Sequence, residues 1–113
     1  GECRCIITNS SGTIYGSGFS ASVLSTGTIS TGVWTSAAFT YDGTNSDLFI
    51  NGAYDNTEVR SLNTVLSVSR VGQFLSQSGE LFNGKIAAVV MYSVQLSDAE
   101  IQYNHDVMES RFV

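Results

Sequence analysis

Residues Trp34 to Gly52 read WTSAAFTYDGTNSDLFING, and this stretch decides the fold. It holds two runs of strand-forming residues, each ended by explicit turn chemistry. Asp42-Gly43 opens a polar loop of Thr, Asn and Ser, where glycine tolerates positive φ and Asx side chains bond back to nearby backbone. Asn51-Gly52 is the strongest two-residue hairpin signal a sequence can carry. The reading is therefore an antiparallel ribbon, with strands at 34–42, 46–51 and 53–60.

Working outward, residues 2–8 and 13–16 form a predicted hairpin around the Asn9-Ser10-Ser11-Gly12 turn. A short strand follows near 20–25 in a stretch rich in Ser, Thr and Gly, and further strands are predicted at 65–73 and 84–93. Ser97 with Glu100 three residues on is a capping box, so a helix should run from there to about Glu109 with Ala99, Tyr103 and Val107 as its apolar stripe. Seven or so short strands with close turn signals indicate an all-β antiparallel sandwich with one short C-terminal α-helix.

Composition agrees with a single domain over 1–113. At 42% hydrophobic and 13% charged residues the chain is neither disordered nor solvating, and it lacks repeats, proline and linkers. No apolar run approaches the ~20 residues needed to span a bilayer. A net charge of -5, with four arginines and a single lysine dispersed along the chain, excludes a phosphate-tracking surface and hence nucleic acid as partner. The chain starts with Gly rather than Met, so a mature or excised product is expected, with any targeting signal upstream.

The order of motifs resembles the laminin-G-like, concanavalin A-like lectin/glucanase family. Its residues here are the W-x-x-x-A-x-x-Y-D-G run from Trp34 to Gly43, L-x-I-N-G at Leu48–Gly52, F-x-G-K-I at Phe82–Ile86, Tyr92, and L-S-x-x-E-I at Leu96–Ile101. The resemblance spans about Trp34 to Gln102. It implies a jelly roll of two curved sheets, with Trp34, Phe39 and Tyr41 buried. Domains of this family are usually longer, and the portion without a counterpart here is N-terminal, including the strand that pairs beside the C-terminal one.

Retaining glucanases need two carboxylates ~5 to 5.5 Å apart, and in the relatives these lie in an E-x-D-x-x-E strand that this chain does not have. The nearest pair, Asp98 and Glu100, suits a helix N-terminus instead. No nucleophile elbow or phosphate loop is present, so the chain is expected not to be an enzyme. Asp42, Asn45 and Asp47 offer oxygen ligands in one loop, with Asp55 and Asn56 weaker, and relatives bind calcium at such rims. The turn reading is preferred, because calcium takes about six to eight ligands; no cofactor is expected. Cys3 and Cys5 share a strand face, where a mutual disulfide is strained, and are read as reduced, small core residues.

Tyr15, Tyr54 and Phe74 lie near predicted turns or strand ends and are the candidate ligand contacts. Asn9-Ser10-Ser11 is a glycosylation sequon on a turn. In the 84–93 strand Ala87, Val89 and Met91 should face the core while Ala88 and Val90 face outward, so a missing segment, the helix or a partner chain should cover that face. The expected function is a non-catalytic extracellular or particle-surface recognition module for carbohydrate or protein. The alternative is a structural subunit decorating a virion, fibre or surface layer.

Overall fold

A computed structural model describes residues 6–16, 23–59, 61–62, 69–73 and 81–112. Two antiparallel three-stranded sheets form within them. The first contains β1 (Ile6–Thr8), β2 (Ile14–Gly16) and β3 (Val23–Leu24), and the second β4 (Ala37–Tyr41), β5 (Asn45–Ile50) and β6 (Ala53–Val59), each in sequential order. The register follows from the turns. Asn51 at φ 50° and Gly52 at φ 79° are both left-handed, the pair of conformations a two-residue hairpin needs. This turn sets Ile50 opposite Ala53 and Phe49 opposite Tyr54, before a bulge between Leu48 and Phe49.

The core lies between the sheets. Ile14 and Val23 from the first meet Leu48 from the second, all at most 1% exposed, with Ile29, Ala37, Phe39 and Ile50 packed around them. Each such burial contributes roughly 1.5–3 kcal/mol. Gly16 lets the sheets approach: a Cβ there would lie 2.7 Å from the Phe39 ring. Polar ties hold the layers in register. Asp55 on β6 accepts from the backbone of Thr26 (2.7 Å) and Gly27 (3.1 Å), and the Asn56 amide donates to the Leu24 carbonyl (2.9 Å).

Helix α1 (Asp98–Glu109) starts as the sequence requires. The Glu100 N–H donates to Ser97 Oγ at 3.2 Å, the Ser97 N–H donates to Glu100 Oε2 at 2.8 Å, and Asp98 and Glu100 put negative charge in the first turn. Its inward face differs from expectation. Ala99, Tyr103 and Val107 are exposed, whereas Ile101 is buried and Asn104, His105 and Met108 are half-buried. The cause is where the helix docks. It crosses the Asn51-Gly52 turn, where a Cβ on Gly52 would come within 2.8 Å of His105 Cβ. The Ser36 hydroxyl and His105 Nδ1 are 2.8 Å apart, and Nε2 lies 3.4 Å from Glu109 Oε2. In the Nε2–H tautomer, Ser36 donates to Nδ1 and the ring donates toward Glu109, latching helix to sheet.

Three expectations are corrected. Residues 84–93 form no strand; between 69 and 97 the described residues carry only the isolated Gln73–Leu81 bridge. Ala87, Val89 and Met91 are as exposed as Ala88 and Val90, so neither face of this run is in the core. Trp34 is not buried either. The β4–β5 ladder begins at Ala37–Ile50, and beyond it the Ser36 N–H donates to Asn51 Oδ1 while the Asn51 N–H donates to the Ser36 carbonyl. The hairpin turn thus closes the ladder before Trp34, which leaves the sheet. Phe39 packs on the core and Tyr41 is half-buried. Cys3 and Cys5 lie outside the described residues.

Candidate functional site

Trp34 leaves the sheet into the wall of a cleft of about 650 Å³. Three segments distant in sequence build it. The first is the turn from Thr8 to Gly12, held by its own Asn9: Oδ1 accepts from the Ser11 and Thr13 backbone at 3.0 Å each, and Nδ2 donates to the Tyr15 hydroxyl at 2.8 Å. The second is the loop from Ile29 to Trp34, tied to the first by the Ile29 N–H donating to the Gly12 carbonyl (2.9 Å). The third runs from Phe82 to Lys85 and is anchored by the Phe82 N–H donating to the Gly72 carbonyl (2.8 Å).

Two aromatic rings stand open in this cleft, Trp34 at 46% and Phe82 at 45% exposed. Trp34 is braced from behind by Phe112, their ring centroids 5.3 Å apart and tilted by 42°. The other lining residues include Ser10, Ser11, Ser30 and Thr31, which carry hydroxyls, Asn83, which carries an amide, and Lys85, which carries an ammonium. No carboxylate is among the described lining residues. Chemically, the cleft offers flat apolar faces bordered by neutral hydrogen-bonding groups and one cation.

The residues singled out from sequence lie elsewhere. Tyr15 supports the Asn9 turn through its hydroxyl without lining the cleft. Tyr54 is half exposed on β6, edge-on to Phe49 at 5.9 Å, and is also outside it. Phe74 lies outside the described residues. Asp42 spends its carboxylate within its own turn: Oδ1 accepts from the Thr44 N–H (2.7 Å) and Asn45 N–H (2.6 Å), and Oδ2 from the Asn45 amide (2.9 Å). The Asn45 N–H, with the Asn45 amide and the Thr44 N–H, holds the Asp42 carboxyl below the usual carboxylate range. Asp47 sits on β5, opposite Thr40 and Thr57. On α1, His105, Asp106 and Glu109 offer atoms within 4.8 Å of one another; His105 Nδ1 is taken up by Ser36, and Asp106 and Glu109 are exposed.

Among the described residues no helix is long and apolar enough to cross a membrane. No curated protein matches this chain. Among solved structures it is similar to an S-layer domain-containing protein from Clostridium thermocellum ATCC 27405 (residues 221-444), with a TM-score of 0.64 and 20% sequence identity. The match covers 93% of this chain and 63% of that one, so the chain spans less than two thirds of its neighbour's length. At that identity the likeness is one of fold. Residues 4–102, which contain both sheets and the wall of the cleft, match the laminin-G-type family described as the concanavalin A-like lectin/glucanases superfamily, and the chain belongs to that family.

Proposed function

We propose that this chain is a non-catalytic, surface-displayed recognition module that holds a carbohydrate in the cleft walled by Trp34 and Phe82. The observation carrying this reading is the pair of open rings beside hydroxyl and amide groups. A pyranose has the complementary surface, an apolar C–H face with a rim of hydroxyls, and aromatic side chains with a few convergent polar groups are what such ligands require. The carboxylate-free lining supports a binding role, since glycoside hydrolysis uses two carboxylates across the scissile bond. Surface display draws on the S-layer domain-containing protein that shares the fold. Retention of at least one oligosaccharide on an immobilised glycan panel, without release of reducing ends, is the expected result. Failure to retain any of them at millimolar ligand would remove the carbohydrate reading.

Calcium has no part in this proposal. With its carboxylate bonded inside the turn, Asp42 acts as a backbone organiser, and Asp55 and Asn56 as ties between layers. A ligand that binds only the folded state raises stability by RT ln(1 + [L]/Kd), about 2.7 kcal/mol at a hundredfold excess over Kd. Melting in millimolar calcium is therefore expected to match melting in chelator. A rise of several degrees that vanishes in Asp47→Ala would contradict this.

A second reading, a structural module of a surface assembly, is favoured by the run from Ile86 to Val94. It is uncharged, and Val90 is 65% and Met91 82% exposed. Apolar strips of this kind are normally covered. In this reading 86–92 becomes a strand when a β-strand from another segment or chain pairs with it, burying the Ala88 and Val90 side and completing a jelly roll. Concentration-dependent association in sedimentation velocity, abolished by Val90→Asp, is the outcome expected of it; a monomer at all concentrations would count against assembly of the chain with itself.

A further inference from the structure

We infer that the sugar taken by the Trp34–Phe82 cleft is anionic, carrying a carboxylate or sulfate that Lys85 recognises. The inference rests on the carbohydrate reading and adds charge to it. Lys85 is the only lysine of a chain whose net charge is -5, and it is an exposed residue at the end of the third segment lining the cleft. Its ammonium has neither an ion pair nor a hydrogen bond among the described residues, and no carboxylate among the described lining residues is there to neutralise it. Of the other described cations, Arg70 donates to Gln73 and Arg111 lies exposed just after α1, and neither is among the described lining residues of the cleft.

Two consequences follow from this placement. An acidic protein repels anions from most of its surface, so one uncompensated cation in a recess marks where an anionic ligand is tolerated. The same cation sits three residues from Phe82, on a turn fixed by the Phe82–Gly72 backbone bond. The segment thus brings an aromatic residue and a charged donor to the same wall, and a ring stacked in the cleft would have a cationic side chain within reach of its rim. A charge-assisted hydrogen bond at a partly exposed site should favour an acidic sugar over its neutral form by about three- to tenfold.

The test is calorimetric titration of the parent chain, Lys85→Gln and Lys85→Glu with glucuronate-, galacturonate- and sulfate-bearing oligosaccharides, each beside its carboxyl-reduced or desulfated neutral form. Lys85 is exposed and has no ion pair among the described residues, so both variants should melt with the parent. The expected result is tighter binding of an acidic member than of its neutral form, weakening as salt is raised. Lys85→Gln should bring the acidic member down to the affinity of the neutral one, and Lys85→Glu should place it below. Equal affinity for both forms, or a preference that survives Lys85→Gln, overturns the anionic assignment while leaving the carbohydrate reading intact. Binding of no member overturns both.

Discussion

Leu48→Ala is expected to destabilise the fold by about 3–5 kcal/mol, the upper part of the range for a buried leucine. Leu48 is 0% exposed and is the residue of the second sheet that meets Ile14 and Val23 of the first. Its removal leaves a cavity between two sheets tied in register by the Asp55 and Asn56 bonds, which restrict how far the layers can collapse. Few other large apolar side chains among the described residues are fully buried. For a domain whose total stability is on the order of 5–15 kcal/mol, the loss is a large fraction. Chemical denaturation checks it through a midpoint shift at unchanged slope; a loss below about 1 kcal/mol would mean that the inter-sheet cluster is not the stabilising core.

Trp34→Ala should behave in the opposite manner. Were Trp34 a core residue, its truncation would cost about 3–5 kcal/mol. It is instead half exposed, so it loses only part of a core tryptophan's burial together with the tilted contact with Phe112, a kind of pair worth about 0.5–1.5 kcal/mol beyond its buried area. Its effect on ligand should be larger, because a tryptophan at the centre of a binding surface commonly contributes about 2 kcal/mol or more, roughly thirtyfold in affinity.

The parts of the fold that were legible in sequence are those dictated locally. Asn51-Gly52 specifies its hairpin because both positions need positive φ, and Ser97 with Glu100 specifies a helix start because the two groups satisfy each other's backbone. The stripe of α1 was misread because its inward face is set by a tertiary partner: the Asn51-Gly52 turn selects Ile101 and His105 over Tyr103 and Val107. Residues 84–93 have strand composition, but a strand also needs a neighbour, and composition does not report one. Trp34 looked like the first residue of β4, and only the Ser36–Asn51 closure shows that the ladder stops short of it.

The cleft was illegible for a related reason. It joins turns near residues 10, 30 and 84, and no local pattern links them. Proximity to turns, the feature shared by Tyr15 and Tyr54, does not report which turns meet, and neither residue lines this cleft. The sequence holds a single Trp34 and a single Lys85, but its motifs assign the first to the core and leave the second without a site role.

Thermal melting and oligosaccharide affinity, measured on the same preparation of Trp34→Ala, show whether Trp34 belongs to a ligand site or to the core. The expected result is a fall in melting temperature well short of that of Leu48→Ala, together with a roughly thirtyfold loss of affinity. A drop as large as that of Leu48→Ala, with affinity for the best glycan unchanged while the variant remains folded, would contradict it.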